Sequence, residues 1–233
     1  MATDDPIHPA EFVDAVRPFL ARNDVDGMVG LVRSRWDDEQ LAGLFAAADP
    51  DARKVAALAY GLTGGRCCLP QLAELLRDPD LVVAQMAEHA LWSVWFRSGS
   101  PDANHQVCRG TRSLNRGDVE HAIEHFTRAI DLDPEFAEAY NQRAIAKFLL
   151  ERFDDCVDDC RKAVKLMPCH FGALAGLGHC HAHEGRLVPA LKCYERALAI
   201  NPRLDDVRQT VRELRDQLCL GPTDPPPCPP REA

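Results

Sequence analysis

The chain has 233 residues, a net charge of −9, 46% apolar and 27% charged residues, and only 6% aromatics. That balance is ordinary for a globular protein, and the acidity excludes nucleic acid or an anionic membrane surface as a main partner, because both need a basic face. The first residues show no basic segment followed by an apolar core, and no run approaches the roughly 18 apolar residues of a spanning helix; the expectation is a cytoplasmic protein with no membrane association.

Taken in order, Met1 to His8 are polar and expected to fray. Pro9 can open a helix through Val16, since proline is tolerated in a first turn, and Pro18 should bend or end it. Asp24 is placed to cap a helix over 25–35. From Asp37 a short internal similarity begins: Leu41-Ala42-Gly43-Leu44-Phe45 before Asp49-Pro50-Asp51 is matched by Leu72-Ala73-Glu74-Leu75-Leu76 before Asp78-Pro79-Asp80, the two Asp-Pro-Asp turns standing 29 residues apart. Each aspartate–proline turn leads into an alanine-rich helix, over 52–62 and 81–96, with the aspartates available as caps. This pattern resembles the short HEAT-like repeats of the phycobilisome-lyase type over about residues 37–97. It departs from them in placing Arg53-Lys54 and Val82-Val83 where Val-Arg is usual. The first 36 residues read as one more degenerate helix pair, giving an N-terminal helical region over 1–98.

Ser98-Gly99-Ser100-Pro101-Asp102 is a breaker cluster that can serve as a hinge or as a tight turn. Beyond it Pro134, Pro168 and Pro202 stand 34 residues apart, each closing a similar phrase (AIDLDP, AVKLMP, ALAINP). A fixed period of this length marks a repeat architecture, with copies at 103–136, 137–170 and 171–204. Each copy has two apolar-periodic helices and a break, with Gly117 and Gly185 where a helix end needs a left-handed residue and Glu151 in the second copy. Small residues recur at the eighth position (Gly110, Ala144, Gly178), and Phe126, Cys160 and Tyr194 occupy the twenty-fourth. One hairpin cannot bury its own apolar face, so neighbours must stack. The register of small residues, aromatics and prolines resembles the tetratricopeptide repeat family. Arg109 and Arg143 stand at the seventh position, where leucine is usual in that family, and Arg143 is expected to pair with Asp159. Residues 205–220 then form a capping helix with Val207, Val211 and Leu214 on one side, and the proline-rich 221–233 is expected to be a disordered tail. The fold class is all-α: an α-solenoid with a HEAT-like first half, three tetratricopeptide-like repeats and a cap.

Of the ten cysteines, Cys67, Cys68, Cys108, Cys156, Cys160, Cys180 and Cys193 mostly occupy helical positions, and without an export signal they read as buried, reduced thiols used as small apolar groups. His121-Ala122-Ile123-Glu124-His125 spells the inverted zincin motif, yet Ala122 and Ile123 are repeat-core positions, so a solvated face is expected. His179 and His183 lie one turn apart on the first helix of the third repeat; metal capture is conceivable, and partner contact is the favoured use. Cys156 and Cys160 coincide with core positions. Asp154, Asp155, Asp158 and Asp159 form an acidic stripe expected to be solvated. No phosphate loop, dinucleotide fingerprint or nucleophile elbow is present, so neither an enzyme nor a cofactor is expected.

In the resembled family the concave groove is lined by fixed positions of each first helix. Here these are Asn104, Val107, Thr111, Leu114 and Asn115; then Glu138, Asn141, Ile145, Phe148 and Leu149; then Ala175, His179 and His183, with Gly172 and Ala182 beside them. The family's carboxylate clamp is missing, since its positions hold Val107, Thr111, Gln142, Gly172 and Gly176. The resemblance implies a non-catalytic adaptor holding an apolar or mixed peptide, or a helix, of a protein partner. Two other classes stay open: an accessory protein of the HEAT-like lyase type, and a histidine-based metal carrier.

Overall fold

The computed structural model describes residues 6–219, and every regular element among them is helical. Residues 1–5 and 220–233, which hold the proline-rich stretch and the last position expected for the cap, lie outside the described residues. The chain forms two compact units, one ending at Ser98 and one beginning at Gly99.

In the first unit α1 (Pro9–Ala21) pairs with α2 (Val25–Arg35). Pro18 does not end α1, which runs on to Ala21. It sits on an exposed side near the helix end, so the proline forfeits only one backbone bond there. Asp24 caps α2 as expected, accepting from the Gly27 N–H at 2.9 Å. Next come α3 (Asp38–Gly43) with a 3-10 turn at Leu44–Ala46, α4 (Pro50–Thr63), α5 (Leu69–Glu74) with a 3-10 turn at Leu75–Arg77, and α6 (Leu81–Arg97). Asp49 and Asp80 cap α4 and α6, Asp80 accepting from the N–H groups of Val82 and Val83 at 2.8 and 3.2 Å. Arg53 ties the two similar helix pairs together. It donates to both Asp78 carboxylate oxygens at 2.7 and 2.9 Å and to the Ala47 and Ala48 carbonyls at 2.8 and 3.0 Å.

Among its described residues the second unit forms three hairpins: α7 (Pro101–Asn115) with α8 (Val119–Leu132), α9 (Ala137–Leu149) with α10 (Phe153–Leu166), and α11 (Phe171–His183) with α12 (Leu187–Ile200). A last helix, α13 (Asp205–Gln217), follows. Each hairpin turn passes through a left-handed residue, Gly117 at φ +79°, Glu151 at +58° and Gly185 at +71°. The glycines at the eighth position are there for space. A Cβ on Gly110 would stand 2.5 Å from the Phe126 ring, and one on Gly178 would stand 2.6 Å from the Tyr194 ring. Val207, Val211 and Leu214 of α13 bury themselves against Ala190, Leu191 and Tyr194, each such side chain contributing about 1.5–3 kcal/mol. The open end of the stack is thereby closed.

Two expectations about the cysteines are overturned: Cys67 and Cys108 are exposed rather than buried, and one pair is not reduced. Cys156 on α10 and Cys180 on α11 are joined in a disulfide, with Cα atoms 6.7 Å apart, so these two are not separate reduced thiols. Stacking the second hairpin on the third sets both side chains in one buried cluster, within the Cα spacing that a disulfide needs.

Candidate functional site

At the twenty-fourth position the first and third repeats carry Phe126 and Tyr194, each ring filling the space over a glycine. The second repeat carries Cys160 there, opposite Ala144. A thiol fills far less volume than a ring, and Gly176 on the next helix adds nothing to the gap. The deficit is a pocket of about 210 Å³, lined by Asn141, Ala144, Ile145, Phe148, Leu149, Cys156, Cys160, Gly176 and His179. Almost all of that lining is apolar, and its rim is open: Ile145 is 41% exposed and Leu149 58%.

The wall beside Phe148 is aromatic. Its ring meets His183 edge-on at 4.9 Å between centroids and Phe153 at 5.4 Å, while His183 stacks on Phe153 at 4.9 Å. His179 Nδ1 shares a hydrogen bond of 2.8 Å with the Tyr194 hydroxyl. Close packing and the neighbouring His183 push the His179 pKa below the ordinary imidazole range. On the floor, burial pushes the Cys160 thiol up to about 12.

Of the residues predicted to line the groove, Asn141, Ile145, Phe148, Leu149 and His179 converge on this pocket, and His183 stands against Phe148. Ala144, Cys156, Cys160 and Gly176 were not predicted to be there. The signal that finds them is the small residue at a position where sister repeats carry a ring. Glu138 is fully buried: its carboxylate accepts from Asn141 Nδ2 at 3.3 Å and Gln142 Nε2 at 2.6 Å, and lies 2.7 Å from His170 Nε2. The Ala173 N–H donates to His170 Nδ1, which puts the ring proton on Nε2, facing Glu138. Asn104 binds the Gly99 backbone through both its amide atoms, Val107 is 1% exposed, and the Thr111 hydroxyl donates to the Val107 carbonyl. Leu114 is half-buried and Asn115 exposed at the end of α7. Ala175 packs toward the α12–α13 cluster.

The histidine pairs are held by protein partners. His121 Nδ1 lies 2.8 Å from Asp118 and His125 Nδ1 lies 2.9 Å from Gln106. In the acidic stripe Asp158 is solvated, but Asp159 is not. Only 4% of Asp159 is exposed, because Arg143 and Lys147 reach across the hairpin to it.

Family models described as "TPR repeat" and "Tetratricopeptide repeat" match residues 113–150 and 172–204. Sperm-associated antigen 1 of Rattus norvegicus is 30% identical over 116 residues, which is 50% of this chain and 13% of that protein; the chain therefore spans a small part of that relative's length. A TPR repeat-containing protein of Rhizobium etli is 29% identical over 142 residues, 61% of this chain and 69% of its own. Among solved structures, the first TPR of Spaghetti (RPAP3), bound to HSP90 peptide SRMEEVD, superposes with a TM-score of 0.51 at 27% identity, covering 52% of this chain and 98% of that one. The Sgt2 TPR domain from Aspergillus fumigatus, with a TM-score of 0.50 at 17% identity over 54% and 89% of the two chains, shares the fold. Over part of its length, residues 113–150 and 172–204, the chain thus matches the tetratricopeptide repeat family.

Proposed function

We propose that the chain is a non-catalytic scaffold whose three repeats, 103–204, hold a peptide or helix of a partner protein, with 1–98 as a HEAT-like helical region preceding them in the sequence. The observation that carries this reading is the apolar pocket of about 210 Å³ with exposed Ile145 and Leu149 at its mouth. Exposed apolar surface around a concavity is the usual mark of a binding site. A domain similar to this one at 27% identity is bound to a peptide. That peptide, SRMEEVD, is acidic, whereas here Val107, Thr111, Gln142, Gly172 and Gly176 occupy the carboxylate-clamp positions. The ligand we propose therefore presents an apolar side chain to the pocket, with modest polar anchoring. No described helix is long and apolar enough to cross a membrane; we place the protein in the cytoplasm.

The test compares affinity purification with mass spectrometry on the wild type and on the Ile145→Ala/Phe148→Ala double variant, with far-UV circular dichroism as the folding control. Partners recovered by the wild type should be lost with the double variant at equal helicity, and synthetic SRMEEVD should bind neither. Recovery unaffected by the double change, or tight binding of SRMEEVD, overturns the apolar-anchor reading.

A further inference from the structure

Beneath the pocket floor, Cys156, Cys160 and Cys180 place their three sulfurs within 4.8 Å of one another, and among the described residues no other three His, Cys, Asp or Glu side chains converge so closely. Two come from successive turns of α10 and the third from α11, and none is more than 1% exposed. We propose that, once the Cys156–Cys180 bond is reduced, these three thiols form a site for one copper(I) ion. The proposal stands independently of peptide binding in the pocket above.

The donor set selects the ion. Three sulfurs and no nitrogen or oxygen favour a soft cation. Zinc asks for four ligands in a closed site, and the converging group supplies three. Copper(I) is satisfied by two or three sulfurs and is protected from oxidation where water is excluded, as it is here. The charge also fits. Asp159, next to Cys160, faces both Arg143 and Lys147 at 2.7 Å, so two cations stand on the helix packed against these thiols. Copper(I) held by two thiolates and one thiol carries one negative charge, and a buried charge needs such a counterpart. Cys156 and Cys160 also line the pocket, which gives the ion a way in from solvent.

The chemistry takes two balanced steps. A dithiol gives two electrons and its own two protons to the Cys156–Cys180 bond and closes to a disulfide; a phosphine does the same with one water, which supplies the two protons and leaves its oxygen on the phosphine oxide. Cu⁺ then displaces two protons from the three thiols and leaves them to solvent, with no change in the oxidation state of copper. The cytoplasm keeps such thiols reduced, so the two steps are compatible with the compartment proposed above.

The test uses the full chain, reduced with a phosphine, desalted without oxygen and titrated with copper(I) held by the chromophoric chelator bicinchoninate. One equivalent of copper per chain should leave the chelator, with a near-ultraviolet sulfur-to-copper absorption. Cys160→Ala should weaken binding at least tenfold, while Cys108→Ala, on an exposed thiol of α7, should leave it unchanged. Should Cys160→Ala fail to fold, Cys160→Ser, which keeps the size of the side chain and removes the soft donor, serves instead and should weaken copper binding as much. Failure to withdraw copper, equal affinity in the Cys160 variant, lost affinity in Cys108→Ala, or preferential uptake of zinc overturns the proposal.

Discussion

Arg143 holds Asp159 across the second hairpin by two parallel hydrogen bonds, Nε to Oδ2 at 2.8 Å and Nη2 to Oδ1 at 2.7 Å. Lys147 adds a third cationic contact to the same carboxylate at 2.7 Å. The planar fork of arginine matches a carboxylate in this way, and lysine could not replace it. The leucine usual at the seventh position of a tetratricopeptide repeat has been exchanged here for an ion pair that joins α9 to α10.

Because Asp159 answers two largely buried cations, its loss should be costly. Asp159→Ala leaves both without their acceptor and should lower stability by about 3 kcal/mol, with Asp159→Asn losing less. Urea unfolding followed by circular dichroism checks this, and an unchanged midpoint would show the pair to be dispensable.

Glu151 takes a left-handed conformation, φ +58°, where its sister turns have glycine. A side chain there costs about 1–2 kcal/mol, part of which glycine returns through a freer unfolded chain. Glu151→Gly should therefore stabilise by about 1 kcal/mol, seen as a higher urea midpoint at pH 7.

Two glycine-to-alanine changes should act in opposite directions. Gly30, in the middle of α2, has nothing within 4 Å of a built Cβ, so Gly30→Ala should stabilise by up to about 1 kcal/mol through helix propensity alone. Gly178→Ala drives a methyl to 2.6 Å from the Tyr194 ring, and overpacking of that kind costs about 1–3 kcal/mol. Thermal unfolding of the two variants should move apart from wild type in opposite senses.

In the first unit burial pushes the Asp78 carboxyl upward, but the Arg53 hydrogen bonds and the Asp80 N–H outweigh it and hold it below the usual carboxylate range. A depressed carboxyl stabilises above its unfolded value, near 3.9, and loses that contribution as pH falls through its folded value. Asp78→Asn should lower the urea midpoint at pH 7 and shrink the further loss that wild type suffers between pH 5 and pH 2. A variant as acid-sensitive as wild type would remove Asp78 from the account.

The helix pairs, turns and cap were legible in the sequence because each is written locally: Asp24, Asp49 and Asp80 at helix starts, Gly117 and Gly185 at hairpin turns, and prolines at a fixed period. Arg143 and Asp159 were legible as a pair because the repeat register puts them face to face. What was not legible is depth. Position in the repeat says which helix face a residue occupies, and Glu138 does lie on a first helix. That His170, 32 residues later, covers it to complete exclusion from water is a property of stacking. The Cys156–Cys180 bond is likewise invisible to spacing, since its two halves belong to different repeats. The pocket was half legible: Ile145, Phe148 and Leu149 were expected at an open face, while its cause, Cys160 standing where a ring stands elsewhere, needed the packed neighbours.

Repeat stacks come undone from their ends, hairpin by hairpin, because each leans only on its neighbours. The covalent tie between α10 and α11 changes the unit of opening. With it in place the third hairpin cannot peel away without dragging the second, so amides of both should exchange with solvent together. Cut by a reductant, the same tie releases α11 to α13 to breathe on their own.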